Sequence, residues 1–315
     1  MKGMSSTPPL HSYTAALTPE QAVTLRAVLD EDGYDFETKP YTLYAARKAK
    51  LNVVVYEKGP KAVIQGRGIE DFITFVLEPR VLQQAGFGYE EEMEPERYAP
   101  HFGVDESGKG DFFGPLVIAG CYVDRGIARH FRSLGIQDSK NIGSDKRIRD
   151  LAEEIRRTAG ATQSVVAIGP ERYNALFEKI GNLNRLLAWG HARVIENLLV
   201  ARPECPQAVS DQFANPKVLQ KSLLAQGRNI DLVQRTKAES DYAVAAASIL
   251  AREKFIDWME RTGKQYGATF PRGASALVKA RAVELVRSHG NDVLPKIAKT
   301  HFKTAEEVRR LAEMR

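Results

Sequence analysis

The sequence predicts an α/β protein in which a mixed β-sheet is flanked by helices, preceded by a small α+β unit. Three observations carry that expectation. From residue 101 onward, short strand-like runs alternate with stretches of helical period, the order expected of a sheet covered by helices. Before residue 88, a helix, three closely spaced strand-like runs and a second helical stretch make a unit of roughly ninety residues, enough to enclose its own core. Between the two lies Glu90-Glu91-Glu92-Met93-Glu94-Pro95-Glu96, an acidic, proline-bearing run that reads as a linker. The expected division is therefore 1–88, a linker over 89–100, and 101–315.

The elements follow in order. Residues 1–12 read as a flexible lead-in. Thr18-Pro19-Glu20-Gln21 starts a helix, with Thr as N-cap, Pro in the first turn and Gln completing a capping box. Ala22, Leu25, Val28 and Leu29 follow at helical spacing, and Gly33 ends the element. Strands are expected over 41–46, 51–56 and 61–65, then a helix over 69–82. Arg47, Lys48, Lys50, Lys58, Lys61 and Arg67, interleaved with Tyr41, Tyr44 and Tyr56, suit either a lysine-protected sheet edge or a surface that tracks a nucleic-acid backbone. In the second unit, strands are expected over 101–105, 116–123, 164–168, 207–210 and 232–234. Helices are expected over 145–158, 183–199 and 242–258, followed by two more. The last of these starts at the capping box Thr304-Ala305-Glu306-Glu307. Trp189 and Trp258 fall in helical patterns as core residues, and His191 and His301 read as helix and loop residues rather than catalysts, though either could lie near the site.

Composition excludes several classes. Of 315 residues, 45 are Lys or Arg and 40 are Asp or Glu, a net charge of +5 that suits a polyanionic partner. The 2 cysteines, Cys121 and Cys205, are too few for a disulfide scaffold and wrongly spaced for a zinc site. No run reaches the ~18 apolar residues of a membrane span. Met1 to His11 lacks the apolar core of a secretory signal, so a cytoplasmic location is expected.

Chemistry concentrates in Gly103-Val104-Asp105-Glu106-Ser107-Gly108-Lys109-Gly110-Asp111. Adjacent strand residues point to opposite faces, so Asp105 and Glu106 can approach one ion only where the strand ends or bends. Gly108 and Gly110 supply that bend. The segment nearly matches a phosphate-cradling nucleotide loop but has Gly110 where a Ser or Thr hydroxyl is required, and its acids would repel the phosphates. Asp211 ends a short apolar strand, and Glu239 precedes the small, apolar run 243–250. Carboxylates at the mouth of such a core suit a hard divalent cation with oxygen ligands. A turn role for Asp211 and a helix-cap role for Glu239 are the plainer alternatives.

DESGKGDFFGPLV, with Asp138-Ser139-Lys140, Ser210-Asp211-Gln212-Phe213-Ala214 and Lys237-Ala238-Glu239-Ser240 followed by Ala245-Ala246-Ala247-Ser248-Ile249, resembles bacterial ribonuclease HIII, a type 2 ribonuclease H. The resemblance covers roughly residues 100–315. The N-terminal unit resembles the TATA-binding-protein-like domain that separates this family from its HII relative. The resemblance implies a ribonuclease H-like core, Mg²⁺ or Mn²⁺ as cofactor, and an RNA–DNA hybrid as partner for a monomeric enzyme. It places the metal-binding and catalytic acids at Asp105, Glu106, Asp211 and Glu239, with Asp241 a competitor for the fourth place. It places substrate contacts at Ser107, Gly108, Lys109 and Gly110 and at Ser139 and Lys140. Where the HII type carries a tyrosine in a Gly-Tyr-Gly stretch, this sequence reads Pro271-Arg272-Gly273-Ala274-Ser275. The alternatives are HII-like cleavage at single ribonucleotides and a non-catalytic nucleic-acid-binding protein.

Overall fold

The computed structural model describes residues 12–84, 90–211, 216–223, 227–236 and 238–314. The lead-in 1–11 and the motif residues Gln212, Phe213, Ala214 and Lys237 lie outside that set, as does the side chain of Glu239. The chain forms two compact units, Met1–Glu96 and Arg97–Arg315. Among the described residues, no helix is long and apolar enough to cross a membrane.

The first unit is an antiparallel sheet with helices on one face. It comprises β1 (Ser12–Ala16), α1 (Pro19–Glu31), β2 (Asp35–Glu37), β3 (Thr42–Lys48), β4 (Leu51–Tyr56), β5 (Lys61–Gly66) and α2 (Ile69–Phe72), in strand order β1-β5-β4-β3-β2. The expected capping box opens α1, where Thr18 and Gln21 satisfy each other's main-chain N–H groups at 3.2 and 2.9 Å. Alternation along β4 sends Leu51, Val53 and Val55 into a core shared with Leu25, Leu29, Phe72 and Leu77. After Phe72 the helix widens to an i→i+5 pattern over Ile73–Leu82, which accommodates Pro79 and its missing N–H. β1 was not expected. Ser-Tyr-Thr-Ala-Ala has little apolar alternation, and the strand forms by pairing with β5 alone. Tyr44 leaves the expected basic-aromatic surface: it is buried against α1, its hydroxyl donating to the Ala22 carbonyl at 2.7 Å. Tyr41 and Tyr56 are exposed, as are all six basic residues named with them. The acidic run forms a short helix, α3 (Glu90–Met93), and a 3₁₀ turn.

In the second unit, β6 (His101–Ser107), β7 (Leu116–Val123), β8 (Gln163–Ile168), β9 (Gln207–Asp211) and β10 (Asp231–Arg235) form one mixed sheet, ordered β10-β9-β6-β7-β8. β6, β9 and β10 run parallel, whereas β7 is antiparallel to β6 and β8. The helices are α4 (Arg125–Leu134), α5 (Asp145–Arg157), α6 (Pro170–Ile180), α7 (Leu183–Ala201), α8 (Pro216–Ser222), α9 (Tyr242–Tyr266), α10 (Ala276–His289), α11 (Leu294–Ile297) and α12 (Lys303–Glu313).

Two helices set the faces around the central strands. α9 lies so close to β6 that a Cβ on Gly103 would sit 2.1 Å from the main chain of Ala243 and Val244. Its buried alanines, Ala243, Ala245, Ala246 and Ala247, permit that approach. α7 covers the other face, and a Cβ on Gly120 would meet Val194 at 2.5 Å. Two expectations fail here. Thr304 lies within the first turn of α12, whose N-cap Phe302 makes no side-chain cap. Trp189 is 38% exposed, because it sits on the outer side of α7.

Candidate active site

Alternation along β6 decides how the adjacent acids are presented. His101, Gly103 and Asp105 face α9, while Phe102, Val104 and Glu106 face α7. The strand ends at Ser107, and the chain turns at Gly108, whose φ is +87°. A side chain there would lie 2.1 Å from the Pro115 carbonyl oxygen, so only glycine fits. Gly110 differs from expectation: its φ is not positive, and a Cβ would meet nothing within 4 Å. The fold does not require a glycine there.

The two carboxylates have different partners. Asp105 is 8% exposed, and its Oδ1 accepts the Glu106 N–H at 2.8 Å. Burial and then the neighbouring Glu106 charge push its proton affinity well up, while the main-chain bond and Lys140 oppose this. Glu106 behaves oppositely. Burial would raise its proton affinity, but His191 and Lys109 overcome it and hold the carboxyl in the charged form. The His191 Nε2 lies 3.0 Å from Glu106 Oε2, and the Lys109 Nζ donates to Oε1 at 3.3 Å. A carboxylate only accepts, so Nε2 carries the proton. The ring's Nδ1 lies 3.1 Å from the Ser210 hydroxyl, one residue before Asp211. His191 is fully buried on α7 and contacts Glu106, whereas the sequence reading took it for a helix residue that could also lie near the site. The available signal was a lone histidine among apolar residues, which by itself does not distinguish the two roles.

Sheet register carries Asp211 toward the Asp105 end of β6. Gly103 pairs with Val209 and Val104 with Ser210, so the next residues in that register are Asp105 and Asp211. Val209 packs with Ala238 and Val244, which brings the 3₁₀ turn Ala238–Ser240, carrying Glu239, to the same face. Asp241 has another task. Fully buried, it caps α9 by accepting the Ala243 and Val244 N–H groups at 2.8 and 3.2 Å. It also meets His101 Nε2 at 2.9 Å and Arg235 at 3.3 Å. Its oxygens are thus engaged away from any ion.

The Asp138-Ser139-Lys140 loop docks on α9, where the Ser139 N–H donates to Ser248 Oγ at 2.9 Å and Arg252 donates to the Ser139 carbonyl. Ser139 is buried and Lys140 exposed, and the charges of Lys140 and Asp138 both act on Asp105. Among the described residues, no three His, Cys, Asp or Glu side chains form a ready-made metal cage. The donor chemistry suits a hard cation all the same. Asp105 is a desolvated carboxylate whose one hydrogen bond among the described residues comes from a main-chain N–H, and a divalent ion would stabilise its charge.

Comparison with known proteins places this arrangement. Residues 102–305 match the model of the family described as Ribonuclease HII. Ribonuclease HIII of Protochlamydia amoebophila is 40% identical over 97% of this chain and 98% of its own. Ribonuclease HIII of Chlamydia muridarum is 42% identical over 94% of this chain and 96% of its own. Among solved structures, Bst-RNase HIII in complex with Mn²⁺ is 26% identical with a TM-score of 0.67, covering 96% of this chain and 100% of that one. With similarity running over nearly the whole length at that identity, the chain belongs to the ribonuclease HIII family.

Proposed function

We propose that this chain hydrolyses the RNA strand of RNA–DNA hybrids endonucleolytically, with Asp105, Glu106, Asp211 and Glu239 as ligands of Mg²⁺ or Mn²⁺. The observation that carries the reading is the pair Asp105–Glu106 at a strand end. Among the described residues, one carboxylate is desolvated and accepts a hydrogen bond only from the main chain, and the other is held charged by His191 and Lys109. The Mn²⁺ complex of the similar Bst enzyme supports the choice of ion. Two bound ions would activate water on one side of phosphorus and stabilise the leaving 3′ oxygen on the other, giving 5′-phosphate and 3′-hydroxyl ends.

The chain's own residues do the rest. His191 and Lys109 keep Glu106 oriented and charged. Ser107, Gly108, Lys109 and Gly110 grip the substrate beside the scissile phosphate, where the ribose 2′-hydroxyl distinguishes RNA from DNA. Gly110 supports this, since a glycine with open space around it lets another molecule's backbone approach. Lys140 is exposed within electrostatic reach of Asp105 and supplies a further phosphate contact, with Ser139 seating its loop on α9. The N-terminal unit serves as the TATA-binding-protein-like substrate-binding domain, through a surface bearing Tyr41, Tyr56 and the exposed basic residues. The cytoplasm suits the two buried free thiols, Cys121 and Cys205.

Substrate choice follows from the segment 271–275, where Ala274 is exposed and no aromatic ring is present. The deciding experiment is cleavage of a full hybrid, a duplex with one embedded ribonucleotide and double-stranded RNA, each with Mg²⁺ and Mn²⁺. Efficient cutting of the hybrid alone is expected. Asp105→Asn should abolish cutting while hybrid binding persists. Strong incision at the single ribonucleotide would favour HII-like specificity, and binding without cleavage a non-catalytic role.

A further inference from the structure

One buried lysine, its pKa pushed down to about 7 by burial, has no part in the reaction as described above. Lys299 is 0% exposed, in the segment between α11 and α12. An ammonium out of water is unfavourable unless its protons find acceptors. The Lys299 Nζ donates to the carbonyls of Asp111 at 2.8 Å, Gly114 at 2.7 Å and Phe113 at 3.4 Å. All three of these contacts thus fall on one stretch of four residues.

The main chain adds to the same contact. The Lys299 N–H donates to Phe112 O, and the Gly114 N–H donates to Ile297 O, both at 2.9 Å. Asn174 on α6 anchors the lysine's own segment. It donates to the carbonyls of Pro295 and Ala298 and accepts the Thr300 N–H at 2.9 Å. On the opposite flank, the Asp111 carboxylate accepts the Gly273 N–H at 2.6 Å, and the Phe112 N–H donates to Gly273 O at 2.9 Å. Residues 111–114 are thereby held from both sides. They continue directly from Ser107–Gly110, and the Asp111 N–H closes that turn on Gly108 O at 3.4 Å.

A lysine needed only to fill volume would be better replaced by an apolar side chain of similar size. We propose that Lys299 is a positioning residue for cleavage. With Asp111 on the other flank, it fixes the main chain after the Ser107–Gly110 turn and so sets where that turn meets the 2′-hydroxyl beside the scissile phosphate. The inference rests on the reading of that turn given above.

The test combines protein variants with one substrate change. Cleavage is measured at one defined bond within a short ribonucleotide run, with and without the 2′-hydroxyl on the 5′ side of that bond. In the parent chain, removing the hydroxyl lowers the rate. Lys299→Met should lower kcat by about 100-fold, the scale of a 1 Å misplacement. KM should stay near the parent's, and the penalty for the missing hydroxyl should shrink towards onefold. A general loss of stability would leave that penalty unchanged. Asp111→Ala should shrink the penalty in the same direction, whereas Asp111→Asn, which keeps an acceptor for Gly273, stays near the parent. If Lys299→Met does not fold by thermal melt, Asp111→Ala decides. A folded Lys299→Met or Asp111→Ala with the parent's penalty overturns the positioning role alone. A parent that cuts the hybrid but shows no penalty overturns the reading of the turn, and this inference with it.

Discussion

Replacing His191 by leucine tests how Glu106 is held for its proposed role as a metal ligand. The two side chains are similar in size, so the buried space on α7 stays filled while Glu106 Oε2 loses the donor now 3.0 Å away. A hydrogen bond to a charged group contributes about 1.5–3 kcal/mol. At about 1.4 kcal/mol per factor of ten, its loss corresponds to roughly 10–100-fold, the range found when groups that orient metal ligands are removed. The remaining donor, Lys109 at 3.3 Å, keeps the effect from being complete. The assay is initial rate of hybrid cleavage against Mn²⁺ concentration, with thermal melting as a check of folding. The half-activating concentration should rise within that range, and activity should return as metal is added. Because Glu106 binds a proton more readily without His191, the defect should deepen as pH falls. An unchanged metal dependence in folded His191→Leu would refute the reasoning.

Four other outcomes follow. Gly110→Ala should melt like the parent, since its Cβ meets nothing within 4 Å, yet lose hybrid cleavage. Gly108→Ala, with φ at +87° and a contact of 2.1 Å, should lose about 1–3 kcal/mol of stability by denaturant unfolding as well. Asp241→Ala removes the cap of α9 and leaves His101 and Arg235 facing a void, so urea unfolding should show a loss of about 3–5 kcal/mol, with Asp241→Asn milder. Finally, Asp105 in the metal-free fold has its pKa raised above its unfolded value. The native state then holds a proton that the unfolded state has released, and stability from this group falls as pH rises through that interval. A bound cation displaces the proton, so the Mn²⁺-induced rise in melting temperature should grow with pH. A pH-independent rise would count against Asp105 as a ligand.

Much of this was legible in the residues themselves. Leu51–Tyr56 and Leu116–Val123 form strands over their full expected lengths, because β-branched runs between turn residues have few other solutions. Thr18 and Gln21 close their box because the interaction is local. Thr304 fails for the opposite reason: the same local pattern is overridden when Ala305 and Val308 pack into the core and shift the helix start. The bend after Glu106 was readable from Gly108, since backbone conformation is a local property. The roles of His191, Asp241 and Lys299 were not, because each depends on partners 85, 140 and 188 residues away. Asp241 and Glu239 are both acids beside α9; the Lys237-Ala238-acid match of the resemblance selects Glu239, and the hydrogen bonds of Asp241 give it a capping role instead.

The contact between Gly103 and α9 has a consequence for how the centre responds to heat and to substrate. Asp105 lies two residues along one partner of that contact, and Glu239 four residues before the other. With bare main chain against main chain, the span between them works as a caliper locked at its pivot. The pivot itself, Gly103 against Ala243 and Val244, opens only where the core melts. The end of β6 and the start of α9 are therefore gauged against each other before any nucleic acid arrives, and a single methyl at position 103 would reset that gauge without touching an acid.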